Sequence, residues 1–160
     1  MSRTTINKII SGGQTGVDRG ALDACLSLGL PCGGWCPRGR RAEDGRIAAK
    51  YPLQETSSPA YNERTRRNIQ DSDGTLIITY EKVLRGGTRL TASYAEIIHR
   101  PLFFYYPPAL FVDVQFNQLI HFLIRHSVRR LNVAGPRESQ WQQAYSVSYQ
   151  LIFQLISSLR

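Results

Sequence analysis

A glycine-rich segment near the amino terminus has the residue types of an anion-binding loop. The apolar run Lys8-Ile9-Ile10-Ser11 predicts a short buried strand, and apolar residues at helical spacing from Val17 to Leu28 predict a helix. Between them, glycines let the backbone approach an anion closely, and the first turn of the helix offers N–H groups without partners. The segment therefore predicts a phosphate site. Its candidate binding residues are Gly12, Gly13, Gln14, Thr15, Gly16, Asp18 and Arg19.

Three later loops carry residues suited to the same kind of ligand, and each follows a predicted strand. Arginine forms bidentate contacts with phosphate, and a tryptophan ring can stack on a flat heterocycle. The candidates are Trp35, Arg38 and Arg40 in the second loop, Gly86, Gly87 and Thr88 in the third, and Gly135, Pro136 and Arg137 in the fourth. We expect a bulky residue at Gly13 or Gly87 to abolish ligand binding and to leave the fold intact.

The elements that must position these loops alternate between strand and helix. This alternation predicts an α/β fold, a single Rossmann-like domain over residues 1–160 with a doubly wound parallel sheet and helices on both faces. The remaining strands are predicted at 30–35, 51–55, 75–79, 102–105 and 131–134, and the helices at 61–72, 88–99 and 112–127, with a final helix capped by Ser139. Residues 36–46 are predicted to be loop. If the strand order is of the doubly wound kind, the strand at 75–79 lies beside the first strand, so the first and third loops flank the switch point where such sheets bind ligands.

The composition favours a globular protein with an anionic small-molecule partner. Apolar residues make up 42% of the chain and charged residues 20%, and no apolar run reaches the roughly 18 residues that a membrane span requires. We therefore expect a cytoplasmic protein without membrane contact. The net charge of +8 fits an anionic partner. Because the basic residues are dispersed and the denser groups lie beside glycine-rich turns, the pattern favours a pocket over nucleic acid.

The sequence contains no assembled hydrolytic or metal centre. The three histidines lie in predicted helices or at their ends without metal-ligand spacing, and no GxSxG elbow occurs. Glu96 lies in the helix after the third loop, where it is either a general base or a solvated surface residue. The final helix is apolar over more than one stripe, which fits deep packing on the sheet or contact with another subunit equally well.

Taken in order, these segments resemble one family, the molybdenum cofactor carrier proteins. The resemblance lies within the wider group of Rossmann-like domains that includes the lysine-decarboxylase-like "lonely guy" nucleotide hydrolases. It implies a homo-oligomeric protein that binds and stores the molybdenum cofactor, a phosphorylated pterin, for delivery to molybdoenzymes. It also implies that the phosphate lies on Gly12 to Gly16 and Gly86 to Thr88, and that Trp35 faces the pterin. The matching segments are Ile9 to Asp23, Gly34 to Pro37, Gly39 to Gly45, Arg64-Thr65, Asn68, Asp71 to Ile77, Gly86 to Thr88 and Asn132 to Ser139.

The hydrolase relatives supply a second hypothesis. They use a PGGxGTxxE motif and a preceding arginine to split the N-glycosidic bond of a nucleoside monophosphate, and Arg64 stands at a comparable distance here. The motif is shortened in this chain, no proline precedes Gly86, and Thr91 occupies the position three after Thr88 where the glutamate is expected. Glu96 would have to replace that carboxylate, so we expect a binding protein rather than an enzyme. A domain that senses a nucleotide or ADP-ribose would have the same pocket and is a third hypothesis.

Overall fold

The computed structural model describes residues 6–107 and 112–160 and centres on a parallel sheet of six strands. In chain order the elements are β1 (Lys8–Ile10), α1 (Val17–Leu28), β2 (Cys32–Cys36), β3 (Arg41–Ala42), β4 (Gly45–Arg46), β5 (Leu53–Glu55), α2 (Tyr61–Gln70), β6 (Gly74–Ile78), α3 (Gly86–Ile97), β7 (Leu102–Tyr105), α4 (Val112–Arg125), β8 (Arg130–Ala134) and α5 (Ala144–Ser158). The strand order is β5-β2-β1-β8-β6-β7, with β3 and β4 forming a separate antiparallel hairpin.

Helices cover both faces of the sheet, as predicted. One core cluster joins α1, α4 and α5 to the sheet through residues such as Ala24, Leu123 and Ile152, together with Leu76 and Ile78 of β6. The helices α2 and α3 contact each other, and they reach the sheet at β2, β6 and β7. Successive side chains of a strand point to opposite faces of the sheet. Helices on both faces therefore bury the side chains on both sides of the sheet. The α/β doubly wound class is therefore confirmed.

The predicted neighbour of the first strand is wrong. β6 does not pair with β1, because β8 lies between them, with Ile10 and Thr75 both opposite Asn132. Local sequence patterns identify a strand but contain no information on its neighbour, and β8 is the last strand of the chain. The helices α1 and α5, which follow β1 and β8, pack on one face, and α3, which follows β6, packs on the other. The topological switch point therefore lies between β8 and β6.

Two local predictions also differ from the structure. The segment 36–46, predicted as loop, contains the β3–β4 hairpin, whose strands of two residues each are too short to leave an alternating pattern. Ser139 does not cap the final helix, since α5 begins at Ala144 and its N-cap position is Gln143. The Ser139 hydroxyl instead donates to Glu43 in the hairpin, at 2.5 Å from Oε2. A tertiary contact has replaced the local cap.

The helices α1 and α5 cross closely at Gly20. A Cβ at this position would overlap the carbonyl oxygen of Tyr145 and lie 2.9 Å from Ser148 Cβ. The Ser148 hydroxyl donates to the carbonyl of Val17 at 2.7 Å across the same crossing. One stripe of α5 is buried here, whereas Tyr145 and Phe153 on the other stripe remain 37% and 38% exposed. Of the described helices, none has both the length and the apolar character needed to cross a membrane.

We predict that Gly20→Ala lowers the free energy of unfolding by about 1–3 kcal/mol, because the added methyl group must push two helix backbones apart. Gly87→Ala is the matched control, since a Cβ at Gly87 would meet no atom within 4 Å. That variant should be neutral or stabilising by up to about 1 kcal/mol, because alanine favours a helix over glycine. Urea denaturation measures both values. Equal unfolding midpoints for the two variants would contradict the close crossing.

Candidate ligand-binding crevice

A crevice opens at the carboxyl ends of β1, β8 and β6, at the switch point of the sheet. It has a volume of about 110 Å³ and receives side chains from loops and helices on both faces of the sheet. Open α/β sheets bind their ligands at this place, because the loops on the two sides of a switch point turn away from each other. The lining residues are Gly12, Gln14, Asp18, Arg64, Thr65, Asn68, Gly86, Gly87, Thr88, Thr91, Asn132, Val133, Ala134, Gly135, Arg137 and Gln140.

A buried ion pair forms the wall of the crevice on the side of α1 and α2. Arg64 Nη1 donates to Asp18 Oδ2 at 3.2 Å, and the two side chains are only 11% and 9% exposed. Burial raises the pKa of Asp18, and the opposing charge of Arg64 only partly offsets this effect. A Cβ at Gly12 would overlap the Arg64 guanidinium, so the glycine leaves the space in which that side chain lies. The ion pair therefore depends on Gly12.

Two donors in this wall lack an acceptor. Gln14 Nε2 and Arg64 Nε are buried, and nothing within residues 6–107 and 112–160 accepts a hydrogen bond from either. The orientation of the Gln14 amide is determined by its other end, because Oε1 accepts from the backbone N–H of Thr15 at 3.1 Å and of Glu43 at 2.9 Å. A buried donor without an acceptor costs about 1–3 kcal/mol. Such groups require an acceptor that the described residues do not supply, such as an ordered water or a ligand atom.

The start of α3 provides a second set of free donors. Within the described part of the chain, no group accepts from the backbone N–H of Gly86, Gly87 or Thr88, and Arg85 at the N-cap forms no side-chain cap. A Cβ at Gly86 or Gly87 would meet no atom within 4 Å, so both glycines face open space. Gly86 also has φ of +52°, a conformation that disfavours other residues. Free N–H groups and the positive end of the helix dipole make this helix start an anion site.

Tyr61 links the two arginines of the crevice. The Arg64 guanidinium lies 5.4 Å from the centroid of the Tyr61 ring, and that of Arg137 lies 5.5 Å from it. Contact with one ring holds two like charges near the same opening, which raises the positive potential there. The structure thus combines cations and N–H donors around one crevice.

The first helix does not offer its N-terminus in the same way. Val17 N donates to the carbonyl of Pro136 at 3.2 Å, and Arg19 N donates to that of Gln14 at 3.2 Å. The carboxylate of Asp18 lies in the first turn, where it already complements the helix dipole. The N–H groups predicted to receive phosphate are therefore largely occupied by the protein itself.

Several glycines of the first and fourth loops allow close packing of protein against protein. A Cβ at Gly16 would overlap the backbone of 136–138, and one at Gly135 would overlap the carbonyl of Ile78. At Gly13, where φ is +76°, a Cβ would overlap Leu53 and lie 3.2 Å from Ile47 Cδ1. The expectation that a bulky residue at Gly13 leaves the fold intact is therefore wrong. Gly12 and Gly135 line the crevice, and Gly13, Gly16 and Pro136 do not.

The β3–β4 hairpin uses two other candidate residues. The Glu43 carboxylate accepts from Ser139 N at 3.2 Å and from the Thr15 hydroxyl, and Arg19 forms a bidentate pair with Asp44, with 2.8 Å between Nη2 and Oδ1. Thr15 and Arg19 therefore hold the hairpin against the first and fourth loops and do not line the crevice. The hairpin also positions Gln14 through the N–H of Glu43.

The candidates of the second loop lie elsewhere. The Arg40 guanidinium donates to four backbone carbonyls, among them those of Ala48 at 2.8 Å and Tyr51 at 2.9 Å, so it organises the chain around it. Arg38 is exposed. Trp35 donates from Nε1 to Asp71 at 2.7 Å and borders a separate cavity of 330 Å³ that shares no lining residue with the crevice. None of these three residues lines the crevice.

The structure separates the two residues of the hydrolase hypothesis. Arg64 lines the crevice, whereas Glu96 is exposed near the end of α3 and does not line it. Within residues 6–107 and 112–160, no three His, Cys, Asp or Glu side chains are grouped so that they could hold a metal ion. The carboxylate that the structure places in the crevice is Asp18.

Sequence reasoning missed seven lining residues. Thr65 and Asn68 lie on the buried side of α2. The available signal was their spacing, since Asn68 follows Thr65 by one turn in a helix with few apolar residues. Asn132 is a polar residue within a buried apolar strand, which is unusual enough to have attracted attention. The others are Thr91, Val133, Ala134 and Gln140.

The position of β8 in the centre of the sheet agrees with the family of the chain. The model of the circularly permuted YpsA SLOG family matches residues 9–156. The chain belongs to this family. Counted from β8 through β1, the strand order of the main sheet becomes 4-3-2-1-5-6, a doubly wound order with its reversal after the first strand. A circular permutation that moves the first strand to the end of the chain gives the order observed here.

A solved structure is similar to this chain over nearly its whole length. The crystal structure of "Putative molybdenum carrier protein" from Syntrophus aciditrophicus SB has a TM-score of 0.90 and 39% sequence identity to this chain. The match covers 95% of this chain and 97% of that one. No curated protein sequence matches the chain.

In this SLOG protein we predict that protonation of Glu43 loosens the hairpin at low pH. Burial of the Glu43 carboxylate favours its neutral form, but hydrogen bonds from Ser139 and Thr15 outweigh that effect, so its pKa lies below the ordinary value of 4.5. A lowered carboxyl pKa contributes stability above pH 4.5, and this contribution is lost as the pH falls through the folded-state pKa. Urea unfolding at several acid pH values measures the slope of the free energy of unfolding against pH. The free energy of unfolding of E43Q should fall less with decreasing pH than that of the original chain. Identical slopes would contradict the stabilising role of the Glu43 carboxylate.

Proposed function

We propose that this protein binds and carries the molybdenum cofactor, a phosphorylated pterin, in the crevice between β8 and β6. The observation that carries the proposal is that residues with unpartnered donors line one small space. Gln14 Nε2 and Arg64 Nε lack acceptors within the described residues, and the first N–H groups of α3 lie along the same crevice. A phosphate group supplies several acceptor oxygens and a negative charge at once.

The charge of the crevice favours this ligand class. Arg64 and Arg137 both line it, and the Asp18 carboxylate is already paired with Arg64. The net charge of +8 adds a long-range attraction for anions. We propose that the phosphate binds at Gly86 to Thr88 and is contacted by Arg64. Gly12 to Gly16 then act mainly as the scaffold of that site.

The choice of a pterin among phosphorylated ligands rests on the relative from Syntrophus aciditrophicus, which carries the name of a molybdenum carrier. A carrier needs to bind its cargo, to shield it and to release it, and it needs no catalytic group. Molybdoenzymes would be the recipients, and the exposed stripe of α5 that includes Tyr145 and Phe153 is available for assembly into a cytoplasmic homo-oligomer.

One observation favours a second candidate, a nucleoside monophosphate N-glycosidase. Asp18 is a buried carboxylate in the crevice, burial raises its pKa, and Arg64 lies 3.2 Å away. Acids and bases in catalysis commonly have pKa values shifted in this way. A hydrolase of this family would use Asp18 where sequence reasoning turned to Glu96.

We predict that Arg64→Gln weakens the binding of the molybdenum cofactor, or of AMP as its stable substitute, by at least about tenfold, because it removes a charge-assisted contact. Arg66→Gln is the matched control, since it removes the same charge from an exposed position of α2 outside the crevice. Anaerobic calorimetric titration measures the dissociation constants. Equal losses in the two variants would show that only the overall charge matters.

Gly87→Val tests the same site without breaking the ion pair. We predict loss of ligand binding with an unchanged melting temperature, because the added side chain enters the open space at the start of α3. Wild-type affinity in this variant would refute the proposed phosphate position. Tight binding of ADP-ribose in place of the cofactor would instead favour a sensing domain.

The hydrolase candidate has its own test. Incubation with AMP, followed by chromatography, detects released adenine. We predict none for a carrier, so that Asp18→Asn has no activity to lose. If adenine is released and Asp18→Asn lowers the rate by about 10²–10⁴ while exposed Glu96→Gln does not, the protein is a hydrolase and the carrier proposal is wrong.

A further inference from the structure

A second cavity adjoins the crevice on the far side of Thr88 and Gln140. Its volume is about 230 Å³, and it is bordered by Tyr80, Glu81, Leu84 and Arg85 from the connection between β6 and α3. Thr88 and Gln140 line both cavities, so the two cavities lie side by side. Thr79 and Pro136 complete its lining, and Tyr80, Glu81 and Leu84 have no part in the phosphate site proposed above.

The size of the crevice favours a ligand that extends beyond it. Sites for whole drug-sized ligands usually enclose about 300–1,000 Å³. The crevice has about 110 Å³, which suits an anionic group better than a whole ligand. The cavity beside Trp35 is larger, but it shares no lining residue with the crevice. The neighbouring cavity is therefore the place where the rest of a ligand anchored at α3 can lie.

The ring of Tyr80 is exposed and held in place. It is 45% exposed, and its centroid lies 5.2 Å from that of Trp141, with 47° between the ring planes. The Tyr80 hydroxyl lies 3.1 Å from Glu81 Oε1 and 3.2 Å from the carbonyl oxygen of Gln140. Because the ring contacts Trp141 and the hydroxyl is hydrogen-bonded, Tyr80 presents a fixed surface on which a planar ring can stack.

Glu81 adds a hydrogen-bond acceptor beside that surface. Its backbone N–H donates to the Thr79 hydroxyl at 3.2 Å, which fixes the start of the connection, and its carboxylate borders the cavity. An ionised carboxylate accepts hydrogen bonds and donates none. It therefore suits an exocyclic amino group or a ring N–H on a heterocycle.

We propose that the cavity beside Tyr80 is a heterocycle subsite, in which an amino-bearing bicyclic ring stacks on Tyr80 and donates to Glu81 while its phosphate lies at the start of α3. This inference rests on the proposed binding function and adds the position of the ring and the residues that select it. Purines and pterins share the required chemistry. Trp35, the sequence-predicted stacking residue, then has no contact with the ligand.

Two matched pairs of ligands test the subsite. AMP is compared with ribose 5-phosphate, and a pterin phosphate with inorganic phosphate, by calorimetric titration of the full chain. We expect at least one ring-bearing ligand to bind about tenfold more tightly than its ringless partner, because a base stacked on an aromatic side chain adds to the affinity. The pair with the larger difference identifies the ring as purine or pterin.

Tyr80→Ala should remove that difference and leave the affinity for the ringless ligand unchanged, while Tyr80→Phe, which keeps the ring, should retain most of it. If the ringless ligands bind as tightly as the ring-bearing ones, or Tyr80→Ala keeps the full difference, the subsite is refuted and the phosphate site stands. If no phosphorylated ligand binds, the proposed function itself fails and the subsite with it. An unchanged melting temperature in Tyr80→Ala shows that the fold is intact.

Discussion

β8 is held on both sides by parallel ladders, with β1 on one side and β6 on the other. Its buried residues Leu131 and Val133 belong to the main core, and Asn132 points its amide to Thr75 across the ladder at 3.3 Å. The loop after β8 therefore emerges between the first loop and the connection to α3. Without β8 in this position, the residues that line the crevice would not lie next to one another.

The crevice is electrostatically divided by the two helices that begin near it. At α1, the protein satisfies the helix start itself, through Pro136, Gln14 and the carboxylate of Asp18. At α3, the helix start is left open and is flanked by glycines with no neighbouring atoms. The start of α3 is therefore the wall with the most open donors, while at α1 the Asp18 carboxylate is already paired with Arg64.

Glycine has three different physical roles around this site. Gly12 makes room for a guanidinium, Gly16 and Gly135 let backbone segments approach, and Gly86 and Gly87 face open space. All five look alike in the sequence, because each follows a predicted strand in a polar loop. Only the neighbours of the missing Cβ distinguish them, and these neighbours come from distant parts of the chain.

The sequence by itself determined the class of the fold, most of the elements and the loops in which a site would lie. Strand and helix periodicity is a local property, so β6, β7 and α2 were predicted within two residues of their observed ends. Arg64, Gly87 and Arg137 were also identified from residue type and resemblance. The tertiary structure decided which of the candidates meet. It placed β8 beside β6, assigned Trp35 and Arg40 to contacts outside the crevice, and brought Asn68, Thr91 and Asn132 into it. Strand order and side-chain neighbours depend on long-range packing, and no local pattern in one sequence records them.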